Sequence, residues 1–102
     1  MALTIEFHPQ AEVELEEAIE WYEAKKEGLG EKFFREYLSI KEKLLISPKL
    51  YPFAFEGVRK AVFRKFPYVI LYFVWEELIY VLAVFHTSQD PEIWKQRVAE
   101  LE

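Results

Sequence analysis

Phe66-Pro67-Tyr68-Val69-Ile70-Leu71-Tyr72-Phe73-Val74-Trp75-Glu76-Glu77-Leu78-Ile79-Tyr80-Val81-Leu82-Ala83-Val84-Phe85 is apolar almost throughout, and how it is read decides the fold. As a membrane helix it would carry Glu76 and Glu77 at its centre, where a charged residue costs roughly 2.5 to 3.5 kcal/mol to insert. Neither apolar half reaches the roughly 20 residues that a spanning helix needs. Its aromatic and β-branched content suits a sheet instead. The stretch therefore predicts two strands, Tyr68 to Trp75 and Leu78 to Phe85, joined by Glu76-Glu77 as a two-residue turn. That turn lacks the Gly or Asn which such hairpins prefer. The first of these strands is apolar on both faces, which predicts a place in the middle of a sheet with both sides covered.

Working outward, Val58 to Phe66 reads as a third strand, and Leu50-Tyr51-Pro52-Phe53 before it as a loop with apolar anchors. Two helices are predicted upstream. Pro9, after His8, suits a first helical position, where its missing N–H costs nothing. Ala11, Leu15, Ala18, Ile19 and Tyr22 then recur at three and four residues, opposed by Glu12, Glu16, Glu20 and Glu23. This helix runs to about Lys26 and is broken by Gly28-Leu29-Gly30, since glycine accepts the left-handed conformation that ends helices. A second helix starts near Glu31, carries Phe33, Tyr37, Ile40 and Leu44, and stops at Ser47-Pro48. At the front, residues 3 to 7 alternate as a half-buried strand. At the back, Pro91 starts a short helix with Ile93, Trp94, Val98 and Leu101. The order β-α-α-β-β-β-α describes an α+β domain, a helical hairpin packed on a small, mainly antiparallel sheet, with residues 1–102 forming one domain.

The charge pattern says more than its sum of −5. Residues 1–31 hold nine Glu against Lys25 and Lys26, giving −7; residues 32–65 hold nine Lys or Arg against Glu36, Glu42 and Glu56, giving +6; the remainder carries −4. A net acidic chain is a poor general nucleic-acid binder, because phosphate affinity comes largely from clustered cations, so any such binding must be local to the basic middle. The absence of cysteine excludes a disulfide framework, thiolate metal sites and a cysteine nucleophile. The opening Met1-Ala2-Leu3-Thr4-Ile5-Glu6 has neither the basic nor the apolar region of an export signal, so a cytoplasmic protein is expected.

No metal motif and no cofactor fingerprint emerge: the two histidines lie far apart, and Gly28-Leu29-Gly30 follows a helix without the spacing of a dinucleotide or phosphate loop. More informative is Arg59-Lys60-Ala61-Val62-Phe63-Arg64-Lys65, because strand alternation sends Lys60 and Arg64 to one face. His86, emerging from the end of the last strand, would lie beside them as a proton carrier. The alternative is that the cations guard an edge strand against aggregation while His86 hydrogen-bonds its own turn. Among the aromatics, Trp94 is expected to hold the last helix on the sheet. Trp21 falls beside the main apolar face of its helix, where with Val13 and Glu17 it can anchor a partner.

The ordered set Ala18-Ile19-Glu20-Trp21-Tyr22, Gly28-Leu29-Gly30-Glu31-Lys32-Phe33, Ser47-Pro48 with Tyr51-Pro52, Gly57-Val58-Arg59-Lys60, Phe66-Pro67-Tyr68, and Val84-Phe85-His86 leading to Asp90-Pro91 and Trp94 resembles the RelE/ParE superfamily of type II toxin–antitoxin toxins. Within it the chain is most similar to the ParE-like, plasmid-stabilisation group. The resemblance implies a cytoplasmic toxin that causes growth arrest. It would be neutralised by a cognate antitoxin whose tail wraps the helical hairpin and sheet, with Trp21, Tyr22 and Trp94 as candidate partner-binding residues.

Two activities come with the resemblance. RelE-like members cleave ribosome-bound mRNA with clustered Lys and Arg; ParE-like members inhibit DNA gyrase by protein–protein contact. In the first case Lys60, Arg64 and His86 are the catalytic candidates, Arg64 stabilising the phosphate and His86 acting as general acid. The cation set is thin, however: Val69 stands where active nucleases often carry Arg, and His86-Thr87-Ser88-Gln89 lacks the Arg that commonly precedes Asp-Pro. The reading therefore leans towards a gyrase inhibitor rather than an enzyme. The alternatives are the mRNA endonuclease and a degenerate homologue that binds its antitoxin but poisons nothing.

Overall fold

The computed structural model describes residues 2–101; Met1 and Glu102, the ends of the expected domain, lie outside the described residues. Strand β1 (Thr4–Phe7) leads into helices α1 (Pro9–Lys25) and α2 (Leu29–Ile46), followed by strands β2 (Phe53–Phe55), β3 (Val58–Val62), β4 (Tyr68–Trp75) and β5 (Leu78–His86), and helix α3 (Glu92–Glu100). The five strands form one sheet in the order β1-β5-β4-β3-β2, with β1 parallel to β5 and every other pair antiparallel. The α+β architecture expected from the sequence is the one observed. The twofold apolar character of β4 has the expected consequence. Ile70 and Tyr72 pack beneath α1 and α2, while Val69 and Leu71 pack beneath Trp94 of α3.

The helical hairpin is closed by a carboxylate and a close approach. Glu23 of α1 accepts hydrogen bonds from the N–H groups of Gly28 (2.9 Å) and Gly30 (3.0 Å), satisfying donors that the start of α2 would otherwise leave orphaned. Gly28 turns the chain at φ 86°. Gly30 lies against α1 so tightly that a Cβ there would sit 2.6 Å from the Ile19 carbonyl oxygen. Below this turn Phe33 is fully buried, stacked between Tyr22 (5.5 Å) and Phe63 (4.7 Å). Pro9 occupies the first turn of α1, as expected, and the His8 ring caps it through Nδ1, which accepts from the Gln10 N–H at 3.1 Å.

Two local expectations are corrected, and β5 shows a feature that the sequence pattern does not. Phe53–Phe55 is not loop but a short edge strand, paired with β3 through a hairpin at Glu56-Gly57, where φ is 33° and 82°. Strand β3 ends at Val62 rather than Phe66, because the N–H groups of Arg64 and Lys65 turn away to the Glu36 carboxylate of α2. Finally, β5 carries a bulge: Leu71 pairs with Ala83 and Tyr72 with Val81, leaving Leu82 as an extra residue. Leu82 and Ala83 consequently both face α3, and the alternation of every later residue is reversed relative to Val81.

Candidate functional site

The bulge decides where His86 goes. Counted by strict alternation from Tyr80, which packs on the α3 side, His86 would share that side. With the extra residue it lies on the α1 side instead, in a hollow of about 240 Å³ lined by Glu14, Glu17, Trp21, Tyr68 and Gln89 among others. Its ring is fixed on one edge: Nδ1 receives the Ser88 backbone N–H at 3.0 Å and contacts the Ser88 hydroxyl at 2.7 Å. A backbone N–H can only donate, so Nδ1 accepts and the neutral ring carries its proton on Nε2. Tyr68 stands edge-on to the ring at 5.1 Å. Burial, reinforced by nearby Tyr22 and Glu14, raises the Tyr68 phenol above its ordinary range, so it is a hydroxyl at neutral pH.

Lys60 and Arg64 do not join it. Lys60 lies on the α3 face, in a cleft whose walls are Val69, Leu71, Phe85 and Trp94, with Lys95 as the other cation. Lys95 is engaged with Glu92 at 3.9 Å and lies 4.8 Å from the Phe55 ring. Arg64 follows the end of β3 and lines a separate hollow against α2. The expectation that strand alternation puts Lys60 and Arg64 on one face fails because the strand has ended before Arg64. The three residues thus line three hollows; those of His86 and Lys60 open on opposite faces of the sheet and share Gln89 between them, and that of Arg64 shares no residue with either. Val69, where the resemblance leads one to look for a cation in a nuclease, is 7% exposed and packed in the core beneath Trp94.

A pair that sequence reasoning missed holds this region together. Arg97 of α3, 8% exposed, makes a bidentate contact with Glu14 of α1, Nη1 to Oε1 at 2.9 Å and Nη2 to Oε2 at 2.6 Å. Arg97 also donates to the Leu82 carbonyl at 3.1 Å, and Glu14 Oε1 accepts from the Val84 N–H at 3.1 Å. Strand β1 covers β5 only as far as Val81, so Leu82 and Val84 lie on a stretch of β5 edge without a neighbouring strand. The ion pair supplies the partners that this edge lacks and ties the layers on the two sides of the sheet. Both residues had a signal. Glu14 sits three residues after Ala11 and four before Ala18 on the buried stripe of α1, and Arg97 sits three after Trp94; a charge on an apolar stripe requires a counter-charge.

Of the three aromatic candidates, Trp21 is 55% exposed, with Lys25 Nζ 4.5 Å from its ring centroid. Tyr22 is half-buried and packs on Phe33, Phe66 and Tyr68 as well as Trp21, so it supports the surface on which Trp21 stands. Trp94 is 6% exposed beneath α3. A groove of about 470 Å³ runs along the helical hairpin, floored by Phe7, Leu15, Ile19, Phe34, Tyr37 and Leu38. Among the described residues no three His, Cys, Asp or Glu side chains converge as a metal site, and no helix is long and apolar enough to cross a membrane.

The same fold occurs in known toxins. Ten solved chains match this one, among them the chromosomal ParDE toxin–antitoxin system from P. aeruginosa, with a TM-score of 0.61 and 16% identity over 85% of this chain and 98% of that one. Another is a double mutant of E. coli toxin RelE in the free state, with a TM-score of 0.67 and 18% identity over 100% of both chains. The architecture is therefore RelE/ParE-like. No curated protein sequence matches the chain significantly. Residues 5–91 match the family described as ParE toxin of type II toxin-antitoxin system, parDE, and the chain belongs to that family.

Proposed function

We propose that this chain works by protein–protein contact in the cytoplasm, arresting growth through DNA gyrase and being neutralised by a cognate antitoxin laid along the helical hairpin. The observation that carries the reading is the separation of the three nuclease candidates. A ribonuclease needs a base, an acid and cations converging on one phosphate. Here Lys60, Arg64 and His86 line three different depressions, and the cleft around Lys60 is walled by Val69, Leu71, Phe85 and Trp94. Binding surface is more plentiful. The apolar hairpin groove suits an amphipathic segment, with exposed Trp21 as an aromatic anchor on the same helix and Tyr22 behind it. Trp94 joins such a surface only through α3, under which it is packed.

Inducible expression of the chain alone in a bacterial host tests this, with growth, a DNA-damage reporter and pulse-labelled protein synthesis followed together. Arrest with an early damage signal is expected, and His86→Ala and Lys60→Ala should leave it intact. Arrest with immediate loss of translation, abolished by either substitution, would overturn the reading in favour of mRNA cleavage. Soluble protein without arrest would mark a chain that has kept the fold and lost the target.

A further inference from the structure

The strongest concentration of unpaired charge lies in the hollow that Arg64 lines, away from His86 and Lys60. Between α2 and the turn that follows β3 is a hollow of about 680 Å³, lined by Lys32, Arg35, Lys43, Arg64 and Lys65 against a single carboxylate, Glu36. In a chain of net charge −5 this is a local reversal of sign. Glu36 does little to neutralise it, because its two oxygens already receive the backbone N–H groups of Arg64 and Lys65. Arg35 is held by Glu31 at 2.7 Å, but both side chains are largely exposed, and such a pair contributes little and exchanges readily. Among the described residues, Lys32, Lys43, Arg64 and Lys65 have no carboxylate partner. The same hollow has apolar contacts to offer, from Leu29 and Phe66.

We propose that this hollow is a docking site for an acidic segment of a protein partner, one that places an apolar side chain between carboxylates. Three observations favour a peptide over a nucleic acid. First, Lys32, Arg35, Ser39 and Lys43 lie at spacings of three and four on one stripe of α2, a run of about 16 Å at 1.5 Å per residue, which five or so extended residues would span. Second, beyond the hollow the hairpin turn mixes Lys25 and Lys26 with an exposed Glu27, so the cation track that a longer polyphosphate would follow is not continued. Third, Leu29 and Phe66 reward an apolar side chain, which a sugar–phosphate backbone does not supply. The turn itself already recognises this chemistry, since successive N–H groups at Arg64 and Lys65 cradle the Glu36 carboxylate.

The proposal rests on the reading of this chain as a protein-binding toxin, and its test is a direct binding measurement that does not depend on toxicity. The purified chain is titrated with a short peptide alternating Asp and Glu with one Leu and one Phe, and amide shifts and affinity are recorded at low and high salt. The controls are the same peptide with Asn and Gln in place of the acids, and an oligouridylate. The acidic peptide is expected to move the amides of Lys32, Ser39, Arg64 and Lys65, to bind more weakly as salt rises, and to lose about tenfold or more in affinity in Lys32→Glu and Arg64→Glu. The exposed Lys32→Gln and Arg64→Gln provide milder variants whose folding is checked by circular dichroism. Equal binding of the amide peptide, tighter binding of the oligouridylate at these residues, or no shift at any of them would overturn the assignment. If the hollow fails while expression still arrests growth with a damage signal, the toxin reading stands and only this docking site falls.

Discussion

Replacing Arg97 with methionine removes the cation that spans the sheet edge while keeping much of its packing volume. The loss can be worked from its contacts. The guanidinium makes two bonds to Glu14 and one to the Leu82 carbonyl, all charge-assisted. Breaking a fully buried pair by removing one partner costs roughly 3–5 kcal/mol, chiefly because the other charge is stranded. Glu14 retains 22% side-chain exposure, so water can partly solvate it, and a loss of about 2–3 kcal/mol follows. Against a typical stability of roughly 5–15 kcal/mol that is a large fraction. Glu14→Leu should cost a comparable amount by stranding Arg97 and the Val84 N–H. The double variant Glu14→Leu/Arg97→Met strands neither charge and should cost less than the sum of the singles by at least about 1 kcal/mol. Urea unfolding measures all four proteins. Both cores are built on one sheet, so we propose that residues 1–102 unfold in one transition. Hydrogen exchange at the Val84 amide should accelerate in both singles. Additivity within about 0.5 kcal/mol, or singles costing less than that, would refute the idea that the pair closes the β5 edge.

Two further outcomes follow from the packing. Gly30→Ala gains about 1 kcal/mol in helix propensity but must push α1 and α2 apart to clear the 2.6 Å approach to the Ile19 carbonyl; a net loss of about 2 kcal/mol by urea unfolding is expected, and a neutral result would mean the helices do not meet there. Tyr72, fully buried and donating to the Pro48 carbonyl at 2.7 Å, has its phenol pushed up to about 12 by burial. The unfolded chain then releases this proton near pH 10 and the folded chain near pH 12, so stability is intact below pH 10 and falls as pH rises towards 12, by roughly 2–3 kcal/mol at about 1.4 kcal/mol per unit. Alkaline unfolding of the native chain and of Tyr72→Phe, compared from pH 9 upward, checks this, because the variant should lose that part of the decline.

What the sequence made legible was whatever rests on contrast. The helices announce themselves by apolar residues at three and four against a background of Glu, and the hairpin turn by glycines, so α1 and α2 were readable to within a few residues. Strand β2 was not, because Phe53-Ala54-Phe55 is too short to show a period and follows a proline; the usable signal was Glu56-Gly57, a two-residue loop of the kind that accepts positive φ. The bulge was illegible for a deeper reason. Val81-Leu82-Ala83-Val84 is apolar throughout because β5 is buried on both faces, and where both faces want the same residues a slip of one position leaves no trace. The placement of His86 depended on that slip. Arg64 was misplaced for the converse reason: its strand pattern is genuine as far as Val62, but the carboxylate that ends the strand comes from Glu36, far away in sequence.

The bulge, the ion pair and the His86 hollow form one arrangement, and its logic bears on how a small acidic chain accommodates a ligand. Strand β1 ends opposite Val81, just before the extra residue of β5, so Leu82 and Val84 lie on an edge that β1 does not cover. An unpaired edge of this kind invites another strand, and here the side chains of Glu14 and Arg97 occupy it first. In doing so they fix α3 against α1 from opposite sides of the sheet, which keeps Trp94 over Val69 and Leu71, so that Lys60 and Lys95 on that face line a cleft with apolar walls. The same pairing places the Glu14 carboxylate in the wall of the His86 hollow with its charge already matched. Among the described cations without a carboxylate partner, Lys32, Lys43, Arg64 and Lys65 gather in one hollow, apart from the His86 and Lys60 surfaces. Charge that the fold does not use internally is charge available to a ligand, which is why the outer face of α2 is the place to look for one.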